Sequence, residues 1–162
     1  KKKMNVVIGI DVGTQGTKAI AYLPASPASP SAGEKNRGQI LARASAGYSL
    51  LPTDVAGRAE QDPEDWIDAI RSVLKTLVAD LGLAAPPSSP SSASKQQYFL
   101  SGIGVSGQQH GMVLLDSDYR TLRPAKLWCD VEASDESHWI RTAAAAVDGG
   151  AGRWDHIVPS FT

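Results

Sequence analysis

The chain has 162 residues, one domain's worth: enough to bury a core, too few for a two-lobed enzyme with a cleft between its lobes. Hydrophobic residues make up 42% and charged residues 20%, an ordinary globular balance, and a net charge of -1 provides no field for nucleic acid or an anionic membrane as partner. The single cysteine, Cys129, excludes an internal disulfide framework and a zinc site of paired cysteines, and it fits a reduced compartment. No apolar run approaches the length of a membrane span. Lys1-Lys2-Lys3 is basic, but the apolar stretch after it is short and is broken by Asp11, so no secretory signal is read there.

Val6-Val7-Ile8-Gly9-Ile10 is a β-branched run that predicts a buried strand ending at Asp11. Val12 to Gly16 is a turn, and residues 17–23 form a second strand, giving a hairpin. A Pro/Ser/Ala-rich loop insertion at about 24–37 follows, then a third strand over 39–50. Asp62 is a helix N-cap, with Pro63 at the first helical position and acidic residues in the first turn. Trp66, Ile67, Ile70, Val73, Leu74, Leu77 and Leu81 recur at helical spacing, and Gly82 ends the helix. A second insertion occupies about 84–96. Strands are predicted over 98–106 and 112–116, a turn at Ser117-Asp118, and an extended segment over 125–128. A helix is predicted over 130–146, stopped by the glycines of 149–152. The order is α/β, but it is not a Rossmann unit, in which the first strand runs straight into a helix.

One segment carries most of the chemistry: Ile8-Gly9-Ile10-Asp11-Val12-Gly13-Thr14-Gln15-Gly16-Thr17-Lys18. A tight Gly/Thr hairpin can offer N–H groups and hydroxyls to phosphate oxygens. Asp11, at a strand end, can hold Mg²⁺, and Lys18 adds positive charge. Taken alone, such a turn is more often a plain hairpin with a solvated aspartate. It is not a Walker loop, because Gly-x4-Gly-Lys-Ser/Thr is absent. A second segment, Gln108-Gln109-His110-Gly111, lies just past a strand end, where side chains commonly meet ligands. Its amides can each donate and accept, which suits a polyol; the alternative is a polar loop. Asp130 can accept from a sugar hydroxyl or cap the following helix. Trp66, Trp128 and Trp139 read as core or cleft wall, with Trp128 placed to line a site beside Asp130. Glu60 and Gln61 read as fixing a loop.

These motifs resemble, in order, those of the FGGY carbohydrate kinases, and most of all the xylulokinases. The resemblance rests on Asp-x-Gly-Thr-x-x-x-Lys at Asp11 to Lys18 and on Glu60-Gln61-Asp62-Pro63 before a helix carrying Trp66. It extends to Gly107-Gln108-Gln109-His110-Gly111 and to Arg123-Pro124-Ala125-Lys126-Leu127-Trp128-Cys129-Asp130. Gln109 stands where xylulokinases often have Met, and Cys129 where they often have Asn.

The resemblance implies a ribonuclease-H-like half-domain of the actin and sugar kinase superfamily, with a mixed sheet, incomplete within residues 1–162. It implies ATP and Mg²⁺ as cofactors, with Asp11, Gly13, Thr14, Gln15, Thr17 and Lys18 at the nucleotide and Asp11 at the metal. Gln108, Gln109, His110 and Asp130 are the implied contacts to a ketose. D-xylulose is the first expectation, D-ribulose or a related polyol the second, and a truncated non-catalytic sugar-binding module the third. The family's general base is expected downstream of Thr162, as is the second lobe. The stretch Val158-Pro159-Ser160-Phe161-Thr162 resembles one that leads into a helix, so the chain reads as an amino-terminal piece, inactive by itself. A cytoplasmic protein is expected, an address at an unseen carboxy-terminus and a full-length homodimer being left open.

Overall fold

The structure is a computed structural model, and it describes residues 3–25, 38–82 and 97–147. Most of both Pro/Ser-rich insertions, the glycines of 149–152 and the final Pro-x-Phe-Thr stretch lie outside the described residues.

The first strand, β1, runs from Lys3–Val12. Its side chains alternate, and Val6, Ile8, Ile10 and Val12 are all buried on one face, as a two-residue period requires. β2 (Gly16–Leu23) pairs with it antiparallel, from Val7↔Tyr22 to Val12↔Thr17, and adds buried Thr17, Ala19 and Ala21 to that face. β3 (Gln39–Gly47) pairs antiparallel with β2. Gly16 is required where β2 starts: its φ is 154°, and a Cβ there would sit 2.6 Å from the Ala46 carbonyl oxygen on β3.

Helix α1 (Pro63–Asp80) begins as its sequence predicts. The Asp62 carboxylate accepts from the Glu64 N–H at 2.9 Å, and Pro63 occupies the first position, where its missing N–H costs nothing. Val73 and Leu77, one turn apart, bury completely against the face formed by β1 and β2. Gly82, at φ 64°, turns the chain out of the helix.

β5 (Gln97–Gly107) returns parallel to β1, from Lys3↔Gln97 to Val12↔Gly107. The sheet is therefore mixed, in the order β3-β2-β1-β5. Both β1 and β5 end at the same level, so the hairpin tip after Val12 and the segment after Gly107 emerge side by side. Helix α1 packs mainly over β2 and β3, and Leu100, Ile103 and Val105 of β5 stay exposed.

A second, two-stranded sheet was not foreseen. β4 (Glu60–Gln61) pairs antiparallel with β6 (Ala125–Lys126) just before α1. The strand expected over 112–116 does not form. Met112 bridges Lys126 and Leu115 bridges Thr121, around the turn at 117–118. That turn is closed by Asp116, whose Oδ1 accepts from the N–H groups of Asp118 and Arg120. α2 covers Ser134–Val147 and starts four residues later than Asp130, which is occupied elsewhere. Trp66 is half-buried against the core, whereas Trp139, expected in a core or cleft wall, is exposed on α2.

Candidate functional site

The hairpin tip and the ends of β1 and β3 border a cavity of about 650 Å³. Asp11, Gly13, Thr14, Gln15, Gly16, Thr17 and Lys18 line it, with Ser45, Ala46, Gly47 and Trp128. All six residues expected at a nucleotide are thus on one wall. Asp11 and Lys18 are direct cross-strand partners, and both are exposed. The Gly13 N–H donates to the Gly16 carbonyl at 3.1 Å, which closes the tip. A Cβ on Gly13 would meet that same carbonyl at 3.3 Å, so the backbone is bare where it faces the cavity.

The hydroxyls differ. Thr17 is fully buried, its Oγ1 3.5 Å from the Tyr48 hydroxyl, so it shapes the floor of the cavity with no side-chain atom on the surface. Thr14 is at the rim. Its Oγ1 donates to Oε1 of Gln108 at 3.1 Å and accepts from the indole N–H of Trp128 at 3.2 Å. These two bonds join the Gly/Thr hairpin to the Gln108 segment and to Trp128, three motifs far apart in sequence. Gln109 and His110 follow as exposed residues. His110 adopts φ 59°, a left-handed backbone uncommon outside glycine and found disproportionately at functional sites.

Asp130 is not among the residues that line the cavity. Its Oδ2 accepts from the Ala59 N–H at 2.8 Å and from Lys126 Nζ at 3.0 Å, and its Oδ1 accepts from the Glu132 N–H at 3.3 Å. It caps neither helix. Around it lies a charge cluster: Arg58 pairs with Glu132 at 2.6 Å, Lys126 with Glu132 at 2.7 Å, and Arg123 with Glu60. Arg58, and then Lys126, hold the Glu132 carboxyl down at about 2. Burial works to raise the Asp130 carboxyl, but the Ala59 N–H and Lys126 outweigh it and leave it lowered. The Glu132 bond raises both Lys126 and Arg58. Oxygens of Glu60, Asp130 and Glu132 lie within 4.8 Å of one another, the spacing of a metal site. Lys126 already sits on all three, so the cluster is neutralised by ammonium and guanidinium groups. Asp11, exposed on the cavity, makes none of these ion pairs.

Gln61 is the residue that sequence reasoning undervalued. It is fully buried, and its amide contacts the hairpin, α1 and Gln108 at once. A two-residue strand is too short to show alternation. The only local hint is the donor-only indole of Trp66 five positions on.

Residues 6–147 match the N-terminal domain of the FGGY family of carbohydrate kinases. The chain is 38% identical over 130 residues to a xylulose kinase of Haemophilus influenzae, covering 80% of this chain and 22% of that protein. It is 35% identical over 133 residues to a xylulose kinase of Bacillus subtilis, covering 82% and 22%. Among solved structures, a xylulose kinase from Rhodospirillum rubrum superposes with a TM-score of 0.62 at 29% identity, covering 85% of this chain and 23% of that one. A Plasmodium falciparum glycerol kinase with ADP, at 16% identity and a TM-score of 0.61 over 83% of this chain and 22% of that one, shares the fold. The chain spans about a fifth of the length of these relatives. Its mixed sheet is the ribonuclease-H-like sheet of sugar kinases, present here in its amino-terminal part. With Gln108 and Trp128 both hydrogen-bonded to Thr14 of the hairpin, and the match running through all three motifs, this chain belongs to the FGGY family of carbohydrate kinases.

Proposed function

We propose that this chain is the amino-terminal part of an ATP- and Mg²⁺-dependent ketose kinase that phosphorylates D-xylulose. The observation that carries the reading is the bond from Thr14 Oγ1 to Gln108 Oε1, which ties a phosphate-type hairpin to the segment expected to meet the sugar. Phosphoryl transfer asks chiefly for positioning and charge neutralisation. Gly13, Thr14 and Gln15 present a narrow tip to phosphate, and Asp11 and Lys18 flank it with a metal-binding carboxylate and a cation. Gln108, Gln109 and His110, with Trp128 beside them, form part of the sugar wall. Asp130 supports that wall from behind through Ala59 and Lys126. In the transfer, the sugar hydroxyl oxygen bonds to the γ-phosphorus as the bond to ADP breaks, and its proton passes to a general base. That base and the adenosine site belong to sequence beyond this chain, as the coverage of the relatives supports. The 162 residues alone therefore transfer no phosphoryl group.

Gln109 and Cys129, at positions where xylulokinases often carry Met and Asn, favour a second reading in which D-ribulose or a related polyol is the substrate. Sugar-dependent ADP release by the full-length protein, across D-xylulose, D-ribulose and glycerol, tests both. Turnover of D-xylulose well above the others is expected. Preference for another polyol overturns the substrate, and no sugar-dependent ADP release overturns the kinase reading. ADP release by residues 1–162 alone overturns the inactivity of the piece.

A further inference from the structure

Five polar groups around Gln61 form one hydrogen-bonded chain whose direction is set at both ends. The Trp66 indole N–H donates to Gln61 Oε1 at 3.0 Å. Indole can only donate, so this contact determines which atom of the Gln61 amide is oxygen. The other atom, Nε2, then donates to the Thr14 carbonyl at 2.7 Å, which can only accept. Gln61 Oε1 also takes Gln108 Nε2 at 3.2 Å. Gln108 must therefore turn its own oxygen toward Thr14, and Thr14 donates its hydroxyl proton there at 3.1 Å. At the far end the Trp128 indole N–H, again a pure donor, enters Thr14 Oγ1 at 3.2 Å. Neither amide can be reversed without leaving two donors or two acceptors facing each other, and Gln61 is fully buried at the centre.

One consequence concerns Thr14. Its only proton is directed inward, at Gln108. A phosphate oxygen arriving in the cavity is an acceptor, and it meets a hydroxyl with no proton to offer. A polyol hydroxyl that takes the place of Thr14 on Gln108 Oε1 releases the Thr14 proton for phosphate.

We infer that Gln61 is a positioning residue that couples the two ligands: by holding the Gln108 amide in one orientation it keeps the Thr14 hydroxyl from phosphate until sugar binds. The inference rests on the kinase reading above. Coupling between two ligands is reciprocal and commonly about 5- to 150-fold.

The test is calorimetric, on the full-length protein with Mg²⁺. The Kd of a non-hydrolysable ATP analogue is measured with and without saturating D-xylulose. Wild type is expected to bind the analogue at least about fivefold more tightly with sugar. In Gln61→Met that ratio is expected to fall to about one, because the Gln108 amide is free to turn. A merely structural role would weaken both ligands and leave the ratio intact. If Gln61→Met does not fold, Trp66→Phe, which removes the bond that orients Gln61, is judged on the same ratio and is expected to lower it. A wild-type ratio of one, or a wild-type ratio retained in the folded variant, overturns this inference and leaves the kinase reading standing. Wild type that binds neither the analogue nor any ketose overturns the kinase reading itself.

Discussion

The Tyr48 hydroxyl donates to the Gly13 carbonyl oxygen at 2.5 Å, so the residue just past β3 clamps the tip of the β1–β2 hairpin. The Tyr48 N–H also donates to the Gln15 carbonyl at 3.4 Å, leaving the tip held from one side by two groups of one residue. Tyr48→Phe removes the first, together with the 3.5 Å contact of the Tyr48 hydroxyl to Thr17 Oγ1, and keeps the second. Loss of one partly buried hydrogen bond is expected to cost about 1 kcal/mol in urea denaturation. The same variant is expected to weaken nucleotide binding more than ketose binding, because the clamp bears on the phosphate side of the cavity. Equal weakening of both in calorimetry would contradict that assignment.

Asp11, one residue before the end of β1, lies on the cavity directly across from Lys18, and makes none of the ion pairs of the cluster around Asp130. Asp11→Asn keeps the shape and removes the charge. In the full-length protein it is expected to lower kcat on the order of 100-fold or more, as removal of one transition-state electrostatic group does. Excess Mg²⁺ is expected to restore part of the loss. Steady-state kinetics at several Mg²⁺ concentrations check both outcomes.

The charge cluster makes an acid-side prediction. Glu132 is held at about 2 by Arg58 and then Lys126, against an ordinary value of 4.5. A lowered carboxyl contributes stability that is fully present above its unfolded value and is lost as pH falls through the folded one. Asp130, also lowered, acts in the same direction. Unfolding free energy is therefore expected to decline between about pH 4.5 and about pH 2. Glu132→Gln is expected to be less stable at neutral pH and to show a shallower decline. An acid titration followed by circular dichroism distinguishes the two slopes.

Leu77 is the most deeply placed residue of α1, fully buried against β1 and β2. Leu77→Ala is expected to cost about 2–5 kcal/mol, the sum of lost burial and a residual cavity. Ile67, on the same helix but 41% exposed, is expected to cost far less as Ile67→Ala. Chemical denaturation of the pair measures the contrast.

Elements with a strong period were readable in advance. The hairpin, β3, α1 with its Asp62 cap, and β5 all stand where alternation or helical spacing placed them, within a few residues. What escaped was fixed by long-range partners. Residues 112–116 look like a strand because Met112-Val113-Leu114-Leu115 is apolar, yet among the described residues only Met112 meets β6, at Lys126, and Leu115 meets Thr121, each as an isolated bridge. Glu60 and Gln61 look like a loop because their strand partner is sixty-odd residues away, at Ala125 and Lys126. The hairpin wall of the cavity was legible because its residues are contiguous. The Asp130 environment was not, since its partners come from Ala59, Lys126 and Glu132. Cross-chain hydrogen bonds leave no periodic trace, and Gln61 shows it most plainly.

The parallel pairing of Lys3 with Gln97 has a consequence for how the polypeptide is made. β1 leaves the ribosome before the other strands, and β2 can zip onto it at once, followed by β3 onto β2. Its other edge waits for β5. At about 5–20 residues per second of synthesis, that wait is roughly 5–20 s. During it, the Val6–Val12 backbone offers unpaired N–H and C=O groups to any passing strand. Lengthening the connection between them raises the equilibrium cost of closure by only about 0.6 kcal/mol per doubling, so what long intervening segments change is the duration of this exposure.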